Sequence, residues 1–326
     1  MDPIYHMTYL QAVVIGLIQG ITELFPISSL GHTVLIPSWL GGSWAVLVRQ
    51  ESRAESPYLA FVVGLHLATA IVLLGVYATT WMRVIRGFCT SIARREIRSA
   101  DQKLAWLIVV ATIPVGLAGL VLEHPFRVLF AKPLAAATFL TINGGILLGG
   151  EILRRRAPRQ PPVPAQASAP TRQDALAGPP GEKNDRDSDT MLDEAAELRL
   201  AGIGSWNAAW IGASQILALF AGISREGVTM VGGLTRGLNH EDAMRFSFLL
   251  STPVILAAGI LKLRDLTGSL GADIRGQVIA GSFAAAATSL FAVLFLARYF
   301  RTRTLVPFAI YCLLAGLLSV VRFGLG

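Results

Sequence analysis

The sequence predicts an all-α, polytopic integral membrane protein, with six transmembrane helices and two re-entrant helical hairpins in an inverted-topology repeat. Three observations lead there. Apolar residues make up 53% of the chain and charged residues 15%, too apolar a balance for an ordinary soluble domain of 326 residues. Several stretches approach the ~20 apolar residues that cross a hydrocarbon core. Two segments also copy one another at one fixed offset, which pairs Gly16 with Gly212, Gln19 with Gln215, Ile27 with Ile223, Ser28 with Ser224 and Gly31 with Gly227. A β-barrel would show alternating segments of ~10 residues, and these runs do not alternate.

The first element, 8–40, is apolar but breaks at Phe25-Pro26-Ile27-Ser28-Ser29-Leu30-Gly31, which predicts two half-length helices joined by a polar tip. Proline and glycine punctuate the break, and irregular backbone at membrane depth is tolerated only where protein buries it or it lines a wet cavity. Full spans follow at 58–82, 104–122 and 134–152, and these elements form a first membrane half, 1–153. Residues 154–203 read as a disordered cytoplasmic linker. Their centre, 157–198, is rich in Pro, Ala, Asp, Glu and Arg and poor in large apolar side chains, with a short helix near 192–200 and a solvated charge run. The second half, 204–326, opens with 206–238, broken at Ala221-Gly222-Ile223-Ser224-Arg225-Glu226-Gly227. Spans follow at 244–262, 277–298 and 305–323. His240, Glu241 and Asp242, after Asn239, read as a polar helix start. Gly144-Gly145 and Gly149-Gly150 read as close-packing sites.

Lys and Arg placement sets the orientation. Arg83, Arg86, Arg94, Arg95, Arg98 and Lys103 follow the first span, Arg154, Arg155 and Arg156 the third, and Arg298, Arg301 and Arg303 the fifth. All three clusters fall on one side if the spans alternate and both broken segments re-enter, and that side is expected to be cytoplasmic. The first hairpin then enters from outside and the second from inside, and their tips meet near the midplane. The net charge of +7 belongs to loops against an anionic leaflet, so nucleic-acid binding is a poor explanation of it. Cys89 falls in a basic loop and Cys312 in an apolar helix, without zinc spacing or a plausible disulfide. No Lys or Arg precedes Arg49, which argues against a cleaved signal peptide.

Glu23, His32, Arg225 and Glu226 stand at membrane depth, where ionisable groups are costly and functional by default. Gln19 and Glu23, four apart, share one helix face. If the tips meet, one pocket gathers a carboxylate, the hydroxyls of Ser28, Ser29 and Ser224, an imidazole and a guanidinium. Arg225 suits planar, bidentate contact with phosphate oxygens, and half-helix N-termini would add N–H groups and positive dipole ends. Gly31 and Gly227 ease close backbone approach. A hydroxyl nucleophile needs a base, which Glu23 or His32 could supply. Ser28 serves equally well as a cap of the next half-helix, and Thr229 as a phosphate contact or as tip packing. Gln215 reads as a repeat relic, and His66 as an interhelical hydrogen bond rather than a catalytic group. The set suits phosphate hydrolysis or phosphoryl transfer better than acyl transfer, and is compatible with anion transport.

Gln19-Gly-Ile-Thr-Glu23-Leu-Phe-Pro-Ile-Ser28-Ser29-Leu-Gly-His32 resembles the first signature of the undecaprenyl-diphosphatase family, the bacitracin-resistance membrane phosphatases. Gly222-Ile-Ser224-Arg225-Glu226-Gly227-Val-Thr229 is similar to its second, Pro-Gly-x-Ser-Arg-Ser-Gly-x-Thr, and the segments Arg245–Pro253 and Val306–Tyr311 also look like the family's. The resemblance covers nearly the whole chain except the linker. It implies hydrolysis of undecaprenyl diphosphate to undecaprenyl phosphate and inorganic phosphate, which recycles the lipid carrier of cell-wall synthesis and confers bacitracin resistance. It also implies a multi-pass protein of the bacterial plasma membrane, a pocket open to the periplasmic side, and a divalent cation, Mg²⁺ or Ca²⁺. Carried over by residue, the catalytic groups are Glu23, Ser29 and His32, with Ser29 the favoured nucleophile and His32 the alternative nucleophile or acid. The substrate is held by Ser28, Ser224, Arg225, Gly227 and Thr229.

Three departures stand out. Gln19 replaces a Glu, Leu30 a small polar residue, and Glu226 a serine. Gln19, Glu23 and Glu226 are then the expected cation ligands, with Glu226 either restoring the carboxylate missing at Gln19 or pairing with Arg225. The expected partners are a polyprenyl diphosphate, membrane lipids along the helix grooves and, at most, a second copy of the chain. The alternative is a transporter or flippase of polyprenyl phosphate lipids, because paired re-entrant tips are also transporter architecture.

Overall fold

The first helix, α1 (Tyr9–Leu24), starts where Thr8 and Gln11 cap one another. The Thr8 hydroxyl accepts the Gln11 N–H at 3.2 Å and the Gln11 carbonyl accepts the Thr8 N–H at 2.9 Å, the reciprocal arrangement that satisfies two orphan donors. It stops because Phe25 is extended ahead of Pro26, as residues before proline must be. The computed structural model describes residues 7–51, 57–130, 132–156, 195–261 and 274–325, and all regular structure among the described residues is helical. After α1 come α2 (Ser29–Leu40), α3 (Gly42–Glu51), α4 (Pro57–Val76), α5 (Ala78–Arg94), α6 (Ala100–Phe130) and α7 (Pro133–Arg156). The later part holds α8 (Ser205–Ser214) with a 3₁₀ turn, Gln215–Leu219, then α9 (Arg225–Thr235), α10 (His240–Leu261), α11 (Arg275–Tyr299) and α12 (Val306–Gly324).

Among the described residues, five helical stretches are long and apolar enough to cross a bilayer: Ala100–Leu122, Pro133–Arg155, His240–Leu261, Arg275–Tyr299 and Val306–Gly324. They coincide with five of the six predicted spans. The sixth, 58–82, is not one straight helix, because α4 ends at Val76 and the chain turns 85° into α5. The basic stretch expected to be a loop, Cys89 included, is therefore the helix α5. Thr80, Val84, Gly87 and Ser91 are its buried positions, spaced as one helix face. That stripe is built of small and polar residues, so an apolar count passes over it. Gly87 lets α6 approach, since a Cβ there would lie 2.8 Å from the Asp101 carbonyl carbon.

Most of the predicted disordered linker, 157–194, lies outside the described residues. Its last part departs from the expectation of disorder and of a solvated charge run: 195–201 is helical, with Ala196 and Leu200 buried. Glu197 accepts the Thr80 hydroxyl at 2.5 Å and the Arg83 guanidinium at 2.7 Å. Arg199 makes a fork with both oxygens of Asp242, each at 2.8 Å. Glu197 and Arg199 thus pair with opposite charges offered by α5 and the start of α10. Asn239 caps α10, accepting the Asp242 N–H at 2.8 Å, as the polar helix start predicts.

Helix partners are exchanged between the two parts of the chain. α1 packs along α11, while its sequence counterpart α8 packs along α6; α4 likewise meets α11, α10 meets α6, and α7 lies against α12. The repeated glycines stand at these crossings. A Cβ on Gly16 would run into the Gly281 carbonyl of α11, and one on Gly212 into the Ala111 carbonyl of α6. Between membrane helices, where apolar burial gives no drive, such close approach is what holds the pair. Gly144 meets Ala309 and Leu313, and Gly150 meets Val231, whereas Gly145 and Gly149 face open space. Gly212→Val is expected to destabilise the fold by about 1–3 kcal/mol through overpacking. Thermal unfolding in detergent checks this, with Gly145→Val as the neutral comparison.

Candidate active site

The tips meet, and serine hydroxyls tie them. Ser28 adopts φ 71°, a left-handed conformation that costs a non-glycine residue about 1–3 kcal/mol. Two hydrogen bonds hold it there: its Oγ accepts the Gly31 N–H, as N-cap of α2, and the Gly222 N–H of the other tip, each at 3.2 Å. Gly222 itself has φ 112° and no room for a side chain beside Ala136 and Leu140. Ser224 does the equivalent work for α9. Its Oγ accepts the Gly227 N–H at 3.1 Å and donates to the Phe25 carbonyl of the first tip at 3.4 Å. Asn143 of α7, fully buried, closes the junction by donating to the Pro26 carbonyl and accepting the Ser224 N–H, each at 3.0 Å. Asn143→Ala leaves a buried carbonyl and a buried N–H unpaired and is expected to cost about 1–3 kcal/mol. A lowered melting temperature, with Asn143→Asp recovering less than Asn143→Gln, checks it.

A small cavity lies at this junction. Glu23, Ser28, Ser29, His66, Ser224, Arg225 and Glu226 line it, beside the apolar Leu30 and Ile223. The helices α2 and α9 both begin at its wall, so their unpaired N–H groups and positive ends belong to it. The Ser29 hydroxyl donates to Glu23 Oε2 in a short hydrogen bond. His66 Nε2 stands 3.1 Å from that same oxygen, and His66 Nδ1 2.8 Å from the Val62 carbonyl. Glu226 Oε1 accepts the Ser251 hydroxyl at 2.7 Å. Arg225 Nη1 is buried without a hydrogen-bond partner, which a bound anion would supply.

Other predicted residues stand apart from the cavity. His32 is buried with both ring nitrogens engaged, Nδ1 at 2.7 Å from the Ser28 carbonyl and Nε2 at 2.7 Å from the Tyr311 hydroxyl, on which the ring stacks. Gln19 Oε1 accepts the Thr69 hydroxyl at 3.3 Å, and its Nε2 is buried without a partner. Its counterpart Gln215 has both side-chain amide atoms buried and unpaired. Gly227 caps through its N–H, and the Thr229 hydroxyl donates to the Arg225 carbonyl at 2.7 Å. Asn143, which ties the junction, and Ser251, which bonds Glu226, are residues that sequence reasoning did not single out. His66 does make the interhelical bond expected of it, but to the cavity carboxylate. A polar residue inside an apolar span was the available signal for it and for Asn143.

Of the expected cation ligands, Glu23 and Glu226 line the cavity and Gln19 does not. Among the described residues no group of three or more His, Cys, Asp or Glu is placed to hold a metal ion. The Gln19 carbonyl is turned to Thr69, Glu226 bonds Ser251, and Glu23 Oε2 carries Ser29 and His66. Hard divalent cations draw part of their oxygen ligands from water and substrate phosphates and need only one or two carboxylates from the protein, which Glu23 and Glu226 could supply from the cavity lining.

The family described as "Bacitracin resistance protein BacA" matches residues 12–318 of the chain. Among its relatives, Undecaprenyl-diphosphatase 2 of Frankia alni is 54% identical over 98% of this chain and 99% of its own length. Undecaprenyl-diphosphatase of Mycolicibacterium paratuberculosis is 52% identical over 98% and 99%, and that of Gluconobacter oxydans 37% identical over 96% and 98%.

Proposed function

Because the chain belongs to the bacitracin resistance protein BacA family, we propose that it is a membrane phosphatase that hydrolyses undecaprenyl diphosphate to undecaprenyl phosphate and inorganic phosphate. The observation that carries this reading is a serine hydroxyl bonded to a buried carboxylate, in the same cavity as a guanidinium with an unpaired donor. Arg225 and the first turns of α2 and α9 hold the terminal phosphate. Ser29 Oγ attacks its phosphorus and passes its proton to Glu23. The Oγ–P bond forms as the anhydride P–O bond breaks, and that electron pair leaves with undecaprenyl phosphate. Glu23 gives that proton to the departing phosphate oxygen, then as base takes a proton from the water that attacks the phosphoserine and returns it to Ser29 Oγ as inorganic phosphate departs. Ser29 is preferred to His32 because both His32 nitrogens are already engaged outside the cavity. Glu23 and Glu226 would hold a divalent cation, which would neutralise phosphate charge when bound, and no step here runs through one.

The exchanged packing of α1 and α8 on α11 and α6 supports an inverted repeat in which α1–α2 and α8–α9 are the re-entrant hairpins and the bent pair α4–α5 supplies the sixth span. With the arginine-rich ends cytoplasmic, the protein lies in the bacterial plasma membrane with its cavity reached from the outer side. A flippase would require the tips to part during each cycle, yet Ser28, Ser224 and Asn143 bond them across the junction. Phosphate release from undecaprenyl diphosphate by purified protein tests the enzyme reading. Lipid translocation in vesicles without phosphate release would replace it with the transporter.

A further inference from the structure

We propose that α5 lies in the plane of the membrane surface on the arginine-rich, cytoplasmic side and binds anionic phospholipid. Met82, Ile85, Cys89 and Ile92 sit among the acyl chains, while Arg86, Arg94 and Arg95 hold headgroups. The inference needs the protein to stand in a bilayer and needs no turnover, so it is independent of the phosphatase reading.

The circumference of α5 divides into three sectors. Thr80, Val84, Gly87 and Ser91 face the protein. Met82, Ile85, Cys89 and Ile92 recur at steps of three, four and three, which places them on one side of a helix, and all four are exposed. Arg86 borders that side, and Arg83 and Arg94, about three turns apart, lead back round to the buried one. In water the second sector would stay wet: Met82, Ile85 and Ile92 are 65%, 56% and 54% exposed, and exposed apolar surface is unfavourable. In a helix that crosses the bilayer the third sector would be the costly one, because arginine at membrane depth is expensive. A helix lying at the surface satisfies both, with its apolar side among acyl chains and its arginines beside headgroups. The turn of 85° after α4 lays α5 across the direction of the membrane crossing, which is the direction of that surface.

Three further observations choose the occupant. Arg83 is paired with Glu197, but Arg86, Arg94 and Arg95 form no ion pair among the described residues, so their charge complements an anionic leaflet. The linker, 157–194, is poor in large apolar side chains and offers nothing to cover the second sector. Finally, α8 meets α5 in one buried cluster through Ala208 and Val84. On either side of Ala208 it exposes Trp206 and Trp210, a residue type that marks membrane–water interfaces.

Cys89 is a built-in reporter, because it is exposed and Cys312 is buried. A nitroxide is attached to Cys89 of the full chain in vesicles of phosphatidylcholine and phosphatidylglycerol. Cys89→Ser serves as the blank, and Cys89→Ser combined with Arg98→Cys as the aqueous reference, since the Arg98 side chain is 82% exposed. The label on Cys89 is expected to be relaxed more by oxygen than by a water-soluble nickel chelate, and the label at position 98 in the reverse order. Nickel access at position 89 equal to that at position 98 overturns the proposal. Spin–spin broadening that dilution with unlabelled protein removes also overturns it, because a second copy of the chain would then cover the face. A second arm reads the headgroups. The wild type is expected to retain spin-labelled phosphatidylglycerol about fivefold or more over phosphatidylcholine, a preference that falls as salt rises. The combined Arg86→Gln, Arg94→Gln and Arg95→Gln variant is expected to lose it while keeping its fold, since these are surface positions. Equal retention of the two lipids by the wild type, or a preference that the variant keeps, overturns the proposal.

Discussion

Ser29→Ala is expected to lower phosphate release from undecaprenyl diphosphate by about 10³-fold or more. The hydroxyl donates directly to the Glu23 carboxylate, and a nucleophile and its base act as a unit. Glu23→Gln is therefore expected to be comparably inactive, and the double variant no worse than the worse single one, because effects within such a unit do not add. The fold is expected to survive, since Ser29 begins a helix whose cap is Ser28. Single-turnover phosphate release, read beside the melting temperature, separates chemistry from folding. If Ser29→Ala keeps activity within about tenfold of wild type and His32→Ala does not, the nucleophile is the histidine and the tip must rearrange to free it from Tyr311.

Arg225→Ala is expected to cost about 2–5 kcal/mol of transition-state stabilisation, the range for truncating a buried, hydrogen-bonded charge partner. Arg225→Lys is expected to recover only part, because an ammonium presents no planar fork. The loss falls on both kcat and KM if the guanidinium holds the diphosphate from ground state to transition state. Stability supplies the discriminating readout. Arg225 Nη1 is buried without a partner, so removing the side chain relieves an unsatisfied donor, and the melting temperature is expected to hold or rise. A structural clamp would behave in the opposite way, with Arg225→Ala melting lower. Activity gained at the expense of stability is the usual signature of a functional site.

Glu23, Ser29 and Arg225 were legible in the sequence because ionisable groups inside apolar segments have few other reasons to exist and because two copies of the tip framed them. His32 was legible as a residue type but not as a position. One helical turn from Ser28 leads its ring to Tyr311, and that direction depends on where α12 packs. His66 carries the reverse lesson: it stood in the middle of a predicted span, and only the crossing of α4 with α1 puts its Nε2 beside Glu23. Gln19 and Glu226 were grouped as cation ligands from their types, and only the packing shows that Thr69 and Ser251 hydrogen-bond them.

What the sequence by itself determined is the class of the protein, the existence of two matched tips, five of the spans and the charged residues at their centre. Each of these follows from local properties: apolar length against bilayer thickness, breaks at proline and glycine, and the cost of burying charge. Tertiary structure alone decided the 85° turn between α4 and α5, the docking of 195–201, the Asn143 bridge and the imidazole that serves the cavity. Those depend on which helices cross and how closely, and the crossings are fixed by small residues such as Gly16 and Gly212 meeting backbone far away in the chain. A glycine records that something comes near, but not what.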